Sequence, residues 1–203
     1  MEIGALLKTF IFLIASSLLY PVLLLLVLLT FWILICAGSF FAEWIERMRL
    51  DKYAPAELPD IIRKGGRNVL SHRVRKYVGN LEDVTGRTGR CTEVEIENML
   101  QEHILGIWKG LDGLKILIRV APGLGLIGTL IPMGTGLAAL GQGDITKLSS
   151  DLVIAFTTTV VGLALGMTAY FFYTVKRRWV DEDIKNIELA TELLAGEPFA
   201  EQK

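Results

Sequence analysis

The chain has 203 residues, 52% of them hydrophobic, and a mean hydropathy of +0.46. That is too apolar for an ordinary soluble domain and points to a small membrane protein. No basic stripe interleaved with aromatics points to nucleic acid, so none is expected as a partner, and two cysteines exclude a disulfide framework.

The 21 basic and 22 acidic residues are strongly segregated: none lies from Thr9 to Ala42, from Val120 to Gly143, or from Leu152 to Val175. Crossing the hydrocarbon core takes about 20 apolar helical residues, so each window predicts a transmembrane helix. The first, within residues 1–42, is too long for the apolar region of a secretory signal and closes on no small-residue cleavage site, so it reads as a retained helix. Bulky Ile35 before Cys36 argues against a lipoprotein acylation site, and Cys36 and Cys91 read as free thiols.

Glu43 to Arg119 holds 14 Lys/Arg and 12 Asp/Glu. The link from Gly141 to Asp151 has one Lys, and Lys176-Arg177-Arg178 opens the segment after the third window. Basic residues gather at the cytoplasmic ends of membrane helices, which predicts a multi-pass membrane protein with its N-terminus outside and its C-terminus in the cytoplasm. Within residues 43–119, Pro55, Pro59, Gly65-Gly66, Gly79-Asn80 and Gly86 to Gly89 read as breaks, and no separate core is expected there. From Glu93 onward, Ile96, Leu100, Ile104, Ile107, Leu111, Leu114 and Ile118 recur at helical spacing until Pro122. Val180, Ile184, Ile187, Thr191 and Leu194 repeat the pattern after the third window, until Ala195-Gly196-Glu197-Pro198 ends it and leaves a disordered tail.

The fold class is therefore an all-α integral membrane protein with three transmembrane helices, the second and third extended into the cytoplasm as amphipathic helices that pair there. Its parts are residues 1–42 (first transmembrane helix), 43–119 (cytoplasmic helical region), 120–175 (second and third transmembrane helices with a short external loop) and 176–203 (C-terminal helix and tail).

Nothing points to an enzyme, and no catalytic residue or cofactor is expected. His72 and His103 lie far apart and lack a partner at metal-ligand spacing, so they read as exposed or helix-packed side chains. Gly123-Leu124-Gly125 follows no strand and sits at membrane depth, which excludes a phosphate loop. A P-loop lysine and a Gly-x-Ser-x-Gly elbow are both missing.

The chemistry sits in two motifs. In the second window Gly125, Gly128 and Thr129 lie between Pro122 and Pro132, prolines that free backbone carbonyls, tolerated in a membrane where they are re-satisfied or line a wet cavity. In the third, Ala155, Thr158 or Thr159, Gly162, Gly166 and Ala169 form a small-residue stripe, with Gly162-x-x-x-Gly166 at the spacing that lets backbones approach closely. The stripe packs either within the protein or between copies. Three successive threonines, Thr157 to Thr159, cover about 200° of a helix, so at least one faces something other than its nearest neighbour. A membrane threonine either returns its hydroxyl to the preceding turn or offers its oxygen to water or a cation. Thr129, Thr158 and Thr159 are the candidate lining of an ion path. Since these windows hold no Asp, Glu, Lys, Arg or His, any carrier carboxylate must come from another subunit.

Ala121-Pro122-Gly123-Leu124-Gly125-Leu126-Ile127-Gly128-Thr129 and Ala155-Phe156-Thr157-Thr158-Thr159-Val160-Val161-Gly162-Leu163 resemble the APxLGLLGT and ALxxTxxGL signatures of the MotA/TolQ/ExbB proton-channel family. The resemblance runs from about Leu111 to Leu194. It implies a homo-oligomer, a pentamer, around single-span partners similar to MotB, TolR or ExbD, whose membrane aspartate carries H+ or Na+ and drives mechanical work. Thr129 and Thr159 match the family's pore-facing threonines, and Pro122 its proline at the cytoplasmic end of the second helix. Ile154 stands where ExbB and TolQ proteins carry a glutamate, and Ile131-Pro132-Met133-Gly134 departs from the best-known members, so no branch is assigned. The competing reading is a structural membrane scaffold whose Gly and Thr faces only pack around a partner.

Overall fold

The computed structural model describes residues 2–50, 58–63, 70–88 and 93–195. These residues form helices α1 (Glu2–Ser17), α2 (Leu19–Arg49), α3 (Leu58–Arg63), α4 (His72–Thr88), α5 (Glu93–Leu140) and α6 (Ile145–Ala195). No strand occurs among the described residues. Three helices, α2, α5 and α6, are long and apolar enough to cross a membrane. The expected breaks at Pro55, Gly65-Gly66 and Gly89, together with Cys91 and the tail from Gly196, lie outside the described residues.

The first apolar window is two helices rather than one. Pro21 has no N–H, so the Ser17 carbonyl loses its helical partner and the helix is interrupted at Leu18. The ladder continues around it, with Leu18 N–H bonding the Ile14 carbonyl at 3.2 Å and Val22 N–H the Leu18 carbonyl at 3.1 Å. The helix of membrane-spanning length starts at Leu19, later than Thr9, and runs past Ala42 to Arg49.

The chain divides into two compact units. The first comprises Met1–Gly38 and Gly113–Tyr173. In it Val22, Leu26 and Ile33 of α2 are buried, while Leu24, Leu28, Phe31 and Ile35 remain exposed. The turn between α5 and α6 is closed tightly: Gly143, at φ +80°, bonds its N–H to the Leu140 carbonyl, and Asp144 N–H reaches the Ala139 carbonyl, both within 3.0 Å. This is the hydrogen-bond pattern of a Schellman C-cap, whose left-handed position suits glycine. Asp144 also caps α6, its carboxylate accepting from Lys147 N–H at 2.9 Å.

The second unit comprises Ser39–Asp112 and Thr174–Lys203, and it corrects the expectation that this region lacks a core. Val74, Tyr77, Val78 and Leu81 of α4 pack with Ile62, Leu70, Ile96, Leu100, Ile187 and Ala190. Gly79-Asn80 does not break α4. A glycine inside a helix costs about 1 kcal/mol, whereas burying each large apolar side chain returns about 1.5–3 kcal/mol, so the buried stripe decides. Thr191 directs its hydroxyl hydrogen to the Ile187 carbonyl at 2.9 Å, leaving its oxygen to accept from buried Tyr77 at 2.8 Å. Burial raises the Tyr77 pKa.

Beside this core lies a charge cluster that the sequence does not announce. Asp183 of α6 is 1% exposed and accepts from Arg47 of α2 at 2.7 Å, Ser71 at 2.8 Å and Arg73 of α4 at 3.4 Å. Arg47 also lies over the Trp179 ring, 5.2 Å from its centroid, and Arg73 pairs with Glu43 at 2.9 Å. One carboxylate thus ties α2, α4 and α6 together. Removing one member of such a buried pair strands the other charge, which costs about 3–5 kcal/mol. Asp183→Ala is therefore expected to lower the urea midpoint of the purified protein strongly, and the Arg47→Met/Asp183→Leu double variant to recover much of the loss. Equal stability of Asp183→Ala and wild type would contradict the clamp.

Candidate functional site

Helices α5 and α6 of the first unit touch through glycine. A Cβ added to Gly162 would lie 2.7 Å from the Ala121 carbonyl oxygen and 2.8 Å from Gly125 Cα. One added to Gly166 would lie 2.6 Å from Pro122 Cγ, and one added to Gly125 would lie 3.0 Å from the Thr158 carbonyl oxygen. At Gly128 it would meet Thr158 Cβ and Oγ1, each at 2.9 Å. Side chains larger than hydrogen do not fit at these separations, and close backbone approach is how helices gain contact energy where lipid and leucine are equally apolar. The small-residue stripe, open at the sequence level between two roles, is here a contact within the chain.

Both prolines lie inside α5, where Pro122 leaves the Ile118 carbonyl and Pro132 the Gly128 carbonyl without a helical N–H partner. The Ile118 oxygen faces α6, 3.7 Å from the position of a Gly166 Cβ. Pro132 is fully buried, as is Ala155.

The three successive threonines diverge. Thr157 is exposed and returns its hydroxyl to the Val153 carbonyl at 2.7 Å. Thr158 is 4% exposed, seated against Gly128, with its hydroxyl directed at the Ile154 and Ala155 carbonyls at 3.1 and 2.9 Å. The tight helix contact covers Thr158, and its hydrogen is taken by its own helix. Thr159 is half-buried and reaches across, its Oγ1 3.2 Å from Thr129 Oγ1. The Thr129 hydroxyl lies 3.0 and 2.8 Å from the Gly125 and Leu126 carbonyls. Each hydroxyl has one hydrogen, so this pair keeps oxygen lone pairs free to accept from a proton donor or to face a cation.

One polar group was missed. Asp151 was read as part of the external link, yet α6 begins at Ile145, so Asp151 lies in its second turn, with Thr135 donating to it at 2.7 Å. The signal was Asp144, an N-cap residue that starts the helix before the uncharged window does. Among the described residues no group of three or more His, Cys, Asp or Glu side chains is arranged to hold a metal ion.

Residues 59–189 match the family model of the MotA/TolQ/ExbB proton channel family. A protein of Methanothermobacter thermautotrophicus named as a homolog of the biopolymer transport protein ExbB is 31% identical over 122 residues, 60% of this chain and 41% of that protein. The aligned part of the chain thus spans about two fifths of that relative's length. No solved structure matches.

The glycine contacts divide into two groups. Gly162→Ala and Gly166→Ala must force α5 and α6 apart, an overpacking cost of about 1–3 kcal/mol, whereas Gly123 and Gly134 have nothing within 4 Å of an added Cβ. Thermal unfolding in detergent is expected to show lowered midpoints for the first pair of variants and no loss for Gly123→Ala or Gly134→Ala. Equal midpoints for all four would show that the helices do not meet at this stripe.

Proposed function

Since the chain belongs to the MotA/TolQ/ExbB proton channel family, a transport rather than an enzyme family, we propose that it is the channel subunit of a gradient-driven membrane motor. The observation that carries this reading is the hydroxyl pair Thr129–Thr159, held at 3.2 Å between two helices whose membrane windows contain no Asp, Glu, Lys, Arg or His. Hydroxyls and freed carbonyls can lower the cost of an ion at membrane depth, but they cannot bind and release a proton near neutral pH. The carrier group therefore comes from a single-span partner of the MotB, TolR or ExbD kind, whose aspartate stands level with Thr129 and Thr159 and passes H+ or Na+. Pro122, Gly125, Gly128, Pro132, Gly162 and Gly166 hold the two helices in position, and Thr158 packs rather than conducts.

In this reading the subunits form a ring, a pentamer, around the partner helices in the cytoplasmic membrane. The N-terminus lies outside, and α5 and α6 extend into the cytoplasm; the basic cluster Lys176-Arg177-Arg178 and the short link with its one lysine support that orientation. Exposed apolar side chains on α6, among them Phe156, Val160, Leu163 and Met167, supply surface for lipid or a neighbouring copy.

A scaffold reading has one observation in its favour, because both threonine hydroxyls also lie within hydrogen-bond reach of their own helices' carbonyls. The two readings separate on substitution. Thr129→Val and Thr159→Val keep shape and remove the oxygen, so the oligomer should elute unchanged while partner-dependent ion flux into vesicles falls to background. Full flux in both variants would leave the threonines a packing role only.

A further inference from the structure

The chain has two histidines, and α4 and α5 bring both to one groove of about 580 Å³ in the second unit. His72, Arg73, Lys76 and Asn80 line it from α4, one stripe at helical spacing, and His103 faces them from α5. Its α5 wall includes Gly106 and Gly110, and a Cβ added to either would find no atom within 4 Å, so the groove stays open where any other residue would narrow it.

The polar groups here are not all spent on one another. Arg73 is committed to Glu43 and Asp183, but no carboxylate pairs with Lys76 among the described residues. His103 packs on the Tyr77 ring, with centroids 5.1 Å apart, and bonds the Arg73 backbone, while its buried Nε2 has no hydrogen-bond partner. Burial first, and the Lys76 charge second, push the His103 pKa down, which favours the neutral ring beside the groove. The acidic residue on the lining is Glu102, which is exposed.

We propose that this groove binds a phosphate-bearing anion, either a phosphomonoester or the headgroup of an acidic phospholipid. Lys76 and His72 supply donors to the phosphate oxygens, and Asn80 a further amide. A metal is disfavoured, because two ammonium- or guanidinium-bearing side chains share the lining with the two imidazoles. The site shares no residue with the threonine pair, so its failure would leave the channel reading untouched.

The test uses the full-length protein. Inorganic phosphate is titrated calorimetrically in detergent, and vesicles of neutral lipid with or without phosphatidylglycerol report headgroup binding. Lys76→Gln should weaken the interaction about tenfold, the worth of one charge-assisted hydrogen bond. Gly106→Leu fills the groove from a position with no neighbour to strain and should abolish binding with the helical circular dichroism unchanged. Lys109→Gln, outside the lining, should change nothing. Phosphate binding in detergent with these sensitivities identifies a soluble phosphomonoester, and a phosphatidylglycerol requirement with the same sensitivities identifies a lipid. No binding of either probe, equal binding by Gly106→Leu and wild type, or a loss of oligomer in Lys76→Gln that reveals a neighbouring copy's carboxylate in the groove would overturn the proposal.

Discussion

The contact of Gly162 with the Ala121 carbonyl and Gly125 Cα decides where nearly everything else in the membrane-type unit lies. At separations that leave no room for a Cβ, the α5–α6 pair is fixed in register between Pro122 and Gly136: Gly166 falls against Pro122, Thr158 against Gly128, and Asp151 beside Gly136. Helices in lipid gain little from burying leucine, so dispersion at this short range is the main source of their cohesion. Register then fixes chemistry. With Thr158 turned into the contact, the next residue, Thr159, is carried to the edge of the pair, where its hydroxyl meets that of Thr129.

A different constraint governs the second unit, where a carboxylate rather than a glycine is the common element. Asp183 is buried, and burial of an unpaired charge is too costly to persist. Arg47, Ser71 and Arg73 converge on it from two parts of the chain, so the ends of α2 and α4 cannot drift from α6 without stranding a charge. The apolar cluster around Tyr77 and Leu81 supplies bulk stability, whereas the ion cluster supplies geometry. Both join α4, whose sequence is interrupted by Gly79-Asn80, to helices read as amphipathic from their spacing.

Features with a strong one-dimensional signature were legible: uncharged windows of membrane length, and glycines three or four apart on one helix. Thr129 and Thr159 were identified because small polar residues at membrane depth are conspicuous. The rest was hidden for physical reasons. Gly79-Asn80 carries a turn signal that only the burial of Val74, Tyr77, Val78 and Leu81 overrides, and that burial depends on partners as distant as Ile187. Asp183 looks like any solvated charge until its Arg47 partner, 136 residues away, is seen. Periodicity could say that three adjacent threonines point three ways, but not which one meets the neighbouring helix. The break at Leu18 follows from the missing N–H of Pro21, a single residue inside an apolar run that otherwise reads as continuous.

The central claim is that this chain supplies a lining and a scaffold while the titratable carrier belongs to another protein. It is tested most directly by proton and sodium flux into liposomes that hold the purified homo-oligomer alone, compared with liposomes that also hold a single-span partner bearing a membrane carboxylate. The account predicts flux near background for the chain alone and a large increase with the partner. Strong flux through the chain alone would contradict it and would indicate a water-filled path lined by hydroxyls and backbone carbonyls.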